Sequence, residues 1–325
     1  MKAIRYDRYG GPDVLELRDV PEPTVGDDDL LVRVRAASVN PLDFHFMRGT
    51  PYLVRAVAGL SRPKVTGLGA DLAGTVEAVG HNVTAFRPGD EVFGSGRVGS
   101  FAEYVVVRQD ATVVTKPDNV TFEEAAAVPV AAVTALQALR DKGRVRPRQK
   151  VLVNGAAGGV GTYAVQLARS LGAEVTGVCR TQNVDLVLSI GADRVIDYTR
   201  EDFTRTGQRY DVIVDMAGNR RLPEIRRALT RRGVLVGVGG PAKGDWIAPL
   251  LGILRMRLYS VGVSQSMGSM LARPSRDDLA VLRDLLHRGE IRSVIDRTYP
   301  LKDVPDAIRY LEEGHARGKV VITLS

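Results

Sequence analysis

The feature that most constrains this chain is one tight turn, Asn154-Gly155-Ala156-Ala157-Gly158-Gly159-Val160-Gly161. It follows an apolar run, 151–153, that reads as a buried strand, and it opens a segment, 159–171, with helical periodicity. Counted from Ala156, the spacing is G-x-G-x-x-G with Ala in the first place. Gly158 leaves room for a pyrophosphate to approach the backbone, and Gly161 lets the helix lie close on the strand. The helix N-terminus adds N–H groups and the positive end of a dipole. A strand before and a helix after give the reading of a dinucleotide cradle, with a plain strand-to-helix turn as the alternative. Ala156, Gly158, Gly159, Val160 and Gly161 are the candidate cofactor contacts.

Around this turn the apolar pattern has three parts. Up to about residue 120, short alternating runs lie between Gly- and Pro-rich breaks, at 2–6, 14–19, 30–36, 72–79, 90–93, 101–107 and 112–116. That spacing predicts a folded-over, mainly antiparallel β domain. An Ala-rich helix is expected over 121–139, with Glu123 and Glu124 in its first turn, where the helix dipole favours acids. Strands are then expected at 151–154, 174–178, 194–196, 212–215, 234–238 and 258–263, alternating with helices, which means a parallel, doubly wound sheet. The tail predicts helices at 276–287 and 303–313 and a strand at 319–324, returning to the β domain. The expected fold is thus α/β: a Rossmann-type domain over 121–265 and a β domain over 1–120 completed by 266–325.

Composition closes off several classes. Among 325 residues Cys179 is the only cysteine, which excludes a disulfide framework and a four-cysteine zinc site. No charged start with an apolar stretch opens the sequence, so a cytoplasmic protein without a signal peptide is expected. The apolar window 246–254 is too short to span a bilayer. A net charge of +7 is spread over small clusters with no basic run interleaved with aromatics, so neither nucleic acid nor membrane is expected as a partner.

The end of the second parallel strand chooses between cofactors. An NAD site places Asp or Glu there for the ribose hydroxyl. The segment reads Thr176-Gly177-Val178-Cys179-Arg180-Thr181-Gln182-Asn183, with no carboxylate. Arg180 suits a 2′-phosphate and Thr181 offers a hydroxyl donor, so NADP(H) is expected; a solvated strand-end arginine is the alternative.

These residues, with others in order along the chain, resemble the medium-chain dehydrogenase/reductase superfamily in its zinc-free quinone oxidoreductase-like branch. The marks are Val39-Asn40-Pro41-Leu42-Asp43, Gly67-Leu68-Gly69-Ala70-Asp71-Leu72-Ala73-Gly74, Phe86 to Phe93, Ala126 to Ala135, the glycine turn, Gly191-Ala192-Asp193 with Ile196-Asp197-Tyr198, and Gly314 to Ile322. The resemblance implies a GroES-like catalytic domain beside the Rossmann-type one. The positions matching the catalytic zinc ligands of zinc alcohol dehydrogenases are Asn40, Ala70 and Val130, and none has a side chain suited to zinc. Metal: none is the expectation. Hydride transfer from NADPH to a quinone or an α,β-unsaturated carbonyl is implied, since such acceptors are already activated.

By the same resemblance, Asn40 is the expected active-site amide, donating to the substrate carbonyl, and Asp43 follows it. His45 stands where the family often has tyrosine, and it is the candidate proton donor there. A structural histidine is the alternative, and Tyr52 is a further candidate. Thr134 is expected near the nicotinamide, Tyr198 near the adenosine phosphate, Ala217 and Gly218 beside a ribose, Gly239 and Gly240 under the nicotinamide, and Lys319 reaching the cofactor. The strand at 258–263, as an apolar sheet edge, predicts a homodimer. Two readings stay open beside the reductase: an enoyl-thioester reductase, and a weakly catalytic NADPH-binding sensor or structural protein.

Overall fold

The computed structural model describes residues 1–96, 99–239 and 264–324. It divides into two units, Met1–Val133 with Pro274–Ser325, and Thr134–Arg273.

Among the described residues, the second unit is built on a six-stranded parallel sheet. Its strand order is Arg194–Asp197, Glu174–Cys179, Lys150–Asn154, Tyr210–Asp215, Leu229–Val238 and Ser266–Met270. The order reverses direction at Lys150–Asn154, and the crevice at such a switch is where doubly wound sheets bind ligands. Val151, Leu152 and Val153 are fully buried, as expected of a strand covered on both faces. Helices Gly159–Ser170, Val184–Ser189 and Leu222–Ala228 fall where the periodicity predicts them. The strand expected at 258–263 lies outside the described residues, as does the segment 246–254. The sixth strand, Ser266–Met270, is one that the sequence pattern does not signal.

The first unit holds a seven-stranded sheet, antiparallel except where Ile295–Pro300 runs parallel to Lys319–Thr323. Its spine is Asp29–Val39. One edge of this strand pairs with Asp71–Val79. The other is shared, Tyr104–Arg108 taking the first half and Lys319–Thr323 the second. Register irregularities at Leu31/Val32 and Val34/Ala36 let so long a strand bend around its core. That core includes Ile4, Tyr6, Leu30, Val32, Leu72, Phe101, Val113, Ile308 and Ile322.

The helix expected over 121–139 is two helices, Phe122–Ala126 and Pro129–Gln137, followed by a wide turn at Ala138–Gly143. Pro129 has no N–H to continue the first helix, so it begins the second. Thr121 and Glu124 cap the first reciprocally. Among the described residues no helix is long and apolar enough to cross a membrane.

Candidate functional site

The register of the first unit brings its candidate residues together. Ser38 lies opposite Asp71 and Val39 opposite Val320, so the end of the spine strand meets the starts of two others. Asn40 then caps helix Pro41–Arg48 from an extended backbone, and the Asp43 carboxylate reaches back to accept from its N–H at 2.7 Å. The other Asp43 oxygen accepts from Gly69 N–H at 3.0 Å. Gly69 has φ +94°, and a Cβ there would lie 2.4 Å from Ser100 Oγ. Asp43 is therefore fully engaged with backbone. Burial, followed by the nearby Asp71 charge, raises its carboxyl to about 7 against the two N–H donors and Lys319.

Asp71 is the centre of this cluster, and the sequence reading passed over it as a site residue. Its Oδ2 accepts from Ser38 Oγ at 2.7 Å and from Asn40 Nδ2 at 2.9 Å. Its Oδ1 accepts from the backbone N–H of Val130 at 3.0 Å, and its carbonyl accepts from Ser100 Oγ at 2.8 Å. The Lys319 ammonium stands 3.7 Å from Oδ2 and donates to Asn40 Oδ1 at 2.6 Å and to Val39 O at 3.3 Å. Asp71 is 0% and Lys319 3% exposed, so neither charge has water to stabilise it. Burial pushes the Asp71 carboxyl up and the Lys319 ammonium down, and each draws the other back toward its charged form. The signal was present in the sequence: an acid and a lysine each stand at the head of an otherwise apolar strand run, Asp71 before Leu72-Ala73 and Lys319 before Val320-Val321-Ile322.

Two expectations change here. Asn40 is not placed to donate to a substrate carbonyl: one amide hydrogen goes to Asp71 and the other to Ser38 O, and the side chain is buried. Lys319 does not offer its ammonium to a cofactor, because Asn40, Val39 and Asp71 hold it inside the β-rich unit. His45 is half-buried, with Nδ1 2.9 Å from Thr50 O and its ring centroid 4.6 Å from that of Phe44. A carbonyl only accepts, so in the neutral ring the proton sits on Nδ1 and Nε2 carries the lone pair. Tyr52 is stacked under the Arg55 guanidinium, which also lies over Tyr9.

In the second unit the glycine turn has the geometry its spacing predicts. Gly155 has φ +91°, and the N–H groups of Gly155 and Ala156 bond to Val178 O on the next strand. A Cβ on Gly161 would stand 2.1 Å from Gly155 O, so no other residue fits without moving helix from strand. A Cβ on Gly158 would meet only Gly155 O, at an ordinary 3.5 Å. Gly158 therefore faces open space at the N-cap of Gly159–Ser170, where a helix has N–H groups without internal partners. Buried Asp215 shapes the neighbouring loop: its Oδ1 accepts from Ala217 N, Gly218 N and Asn154 Nδ2. Ala217, Gly218 and Gly239 are exposed, whereas Thr134 is nearly buried on helix Pro129–Gln137. Gly240 lies outside the described residues.

Arg180 and Tyr198 meet at the ends of adjacent strands, Arg180 Nε donating to Tyr198 Oη at 3.2 Å. Thr181 differs from expectation. Its hydroxyl proton goes to Asp197 Oδ2 at 2.6 Å, so it is not a donor to a phosphate. Asp197 pairs in register with Cys179, which brings a carboxylate beside the second strand's end from the third strand. The Thr181 hydrogen bond foremost, with Thr199 and Arg200, holds its carboxyl below the usual range.

Two family models match the chain. The family described as alcohol dehydrogenase GroES-like domain matches residues 26–118, and that described as zinc-binding dehydrogenase matches 190–322. The chloroplast envelope quinone oxidoreductase homolog of Arabidopsis thaliana is 32% identical, over 99% of this chain and 98% of its own. The chain belongs to the medium-chain dehydrogenase/reductase superfamily. Within the superfamily it sits in the zinc-free, quinone oxidoreductase-like branch. The NADPH-dependent alkenal/one oxidoreductase of the same plant is 32% identical over 99% of this chain and 79% of its own. The solved structure of Escherichia coli quinone oxidoreductase complexed with NADPH superposes with a TM-score of 0.85 at 26% identity, covering 100% of both chains. A family description that mentions zinc does not carry ligands with it. Among the described residues no group of three His, Cys, Asp or Glu side chains is placed to hold a metal ion.

Proposed function

We propose that this superfamily member is an NADPH-dependent, zinc-independent oxidoreductase that delivers a hydride to a quinone or an α,β-unsaturated carbonyl. The observation that carries the reading is the turn at 155–161. Its backbone is closed toward the strand by Gly161 and open at Gly158, which is the shape a pyrophosphate needs. Relatives named for quinone and for alkenal/one reduction match this chain over almost its whole length.

The parallel-sheet unit would bind the nucleotide and the β-rich unit would hold the acceptor. Arg180 and the Tyr198 hydroxyl would take the 2′-phosphate, Arg180 by a charge-assisted bond. Ala156, Gly159 and Val160 would line the pyrophosphate, and Ala217, Gly218, Gly239 and Gly240 the riboses and nicotinamide. Thr134 would stand near the nicotinamide. When bound, the nicotinamide supplies the hydride. The protein's part is then placement and stabilisation of charge on the acceptor oxygen. Asn40 and Asp43 serve this as framework, each bonded within the protein. His45 donates from Nε2 only as the imidazolium, because its neutral form keeps the proton on Nδ1. A cytoplasmic homodimer joined along the edge of the parallel sheet goes with this reading. The described edge strand, Ser266–Met270, pairs with Leu229–Val238. A single mass at the monomer value at micromolar concentration would count against the dimer.

The test is a fluorescence titration with NADPH and NADH, followed by cofactor absorbance on adding 9,10-phenanthrenequinone and simple enones. NADPH binding tighter than NADH, with turnover on at least one acceptor, is expected. Tight NADPH binding without turnover on any acceptor favours the sensor reading instead.

A further inference from the structure

We propose that Asp71 is the positioning residue of the acceptor side, with Lys319 as its fixed countercharge. This inference rests on the reductase reading above.

The argument is one of connectivity. Three positions match those that bind the catalytic metal in the zinc members of the superfamily: Asn40, Ala70 and Val130. Two of them are hydrogen-bonded to one carboxylate, that of Asp71. Ala70 is its neighbour in the chain. Asn40 donates its amide to Oδ2, and Val130 donates its backbone N–H to Oδ1. A metal ion joins such segments by accepting their lone pairs. Asp71 joins Asn40 and Val130 by accepting hydrogen bonds from both, so the donor types are inverted to match. Its charge is balanced from a fourth segment by Lys319, which also fixes the Asn40 carbonyl end at 2.6 Å. The Asn40 side chain is thereby held at both ends, Nδ2 by the acid and Oδ1 by the ammonium.

A neutral amide at position 71 accepts through one oxygen only, so it keeps one of these donors and releases another. The acceptor's seat shifts by a fraction of a bond length or more, and placement errors of that order reduce hydride-transfer rates steeply. The nucleotide turn belongs to the other unit, so the pyrophosphate cradle is built without this carboxylate.

The experiment compares wild type, Asp71→Asn, Lys319→Met, Lys319→Arg and the double variant Asp71→Asn/Lys319→Met. Steady-state rates with 9,10-phenanthrenequinone, the NADPH Kd by fluorescence and thermal unfolding are read for each. A fall in kcat of at least about tenfold is expected for Asp71→Asn, with NADPH Kd within about twofold of wild type. Lys319→Arg keeps most of the rate, since it keeps the cation. The double variant removes both buried charges and so remains folded if either single variant does not. It loses no more rate than Asp71→Asn, because the two side chains act as one unit. A folded Asp71→Asn or double variant with kcat and KM both near wild type overturns the inference. So does a rate loss that merely follows a parallel loss of NADPH affinity and melting temperature. A wild-type protein that binds NADPH but reduces no acceptor overturns the reductase reading, and this inference with it.

Discussion

The cluster around Asp71 and the turn at Gly158 both come from residues marked as functional, yet they are built in opposite senses. Around Asp71 the side chains face one another. Asn40, Asp43 and Lys319 each find protein partners for their polar groups and are almost wholly buried. At the turn the side chains are mostly small, and space is left open beside Gly158. One region is a closed electrostatic joint, the other leaves its backbone approachable at one point. The lesson is that a family position marked for chemistry can be retained for architecture. Asn40 has both ends of its amide bonded within the protein.

The largest effect expected from testing this contrast is at Lys319. Lys319→Met leaves the Asp71 carboxylate buried without its cation, a change that costs about 3–5 kcal/mol in comparable pairs. Denaturant unfolding should show that loss, and adding Asp71→Asn should recover part of it. If Lys319→Met is as stable as wild type, the joint is not closed. Next comes the turn itself. Gly161→Ala should cost about 3 kcal/mol, because its Cβ would meet Gly155 O at 2.1 Å. Gly158→Ala should leave the melting temperature nearly unchanged while weakening NADPH. Equal stability losses in the two variants would break the distinction between a packed face and an open one. Arg180→Ala should weaken NADPH by about 2 kcal/mol, roughly thirtyfold, and NADH much less, as isothermal titration would read. A separate effect concerns pH. The folded protein holds the Asp43 proton up to about pH 7, whereas the unfolded chain releases it near the ordinary value of 3.8. More protons are bound in the folded state between those limits, so this contribution to stability is full at low pH and falls as pH rises toward 7. The melting temperature of wild type relative to Asp43→Asn should decline from pH 4 to 7 and then level off.

How much was legible follows from the same contrast. The glycine turn is encoded within eight consecutive residues, and its strand and helix flank it directly, so spacing alone located it. The parallel strands carry unbroken apolar runs and were equally plain. The Asp71 joint was not legible as a site, since its members come from segments that only the strand register brings together, Ser38 opposite Asp71 and Val39 opposite Val320. The helix Pro41–Arg48 is written in the Asn-Pro-x-Asp capping pattern, in which Asn40 and Asp43 are the N-cap and its reciprocal partner. Ser266–Met270 has neither β-branched residues nor alternation, and pairing with Leu229–Val238 alone gives it strand form. Thr181 read as a phosphate donor because Asp197 arrives from a different strand.

Asp71 also has a history in time as well as a place in space. During synthesis Ser38, Asn40, Ser100 and Val130 emerge before or soon after it, but Lys319 follows only after the entire parallel-sheet unit has been made. The acid therefore precedes its ammonium by most of the chain's length. The strand Lys319–Thr323 then brings the cation and the last pairing partner of the spine strand in one movement. Completion of the sheet and neutralisation of its buried charge are thereby coupled.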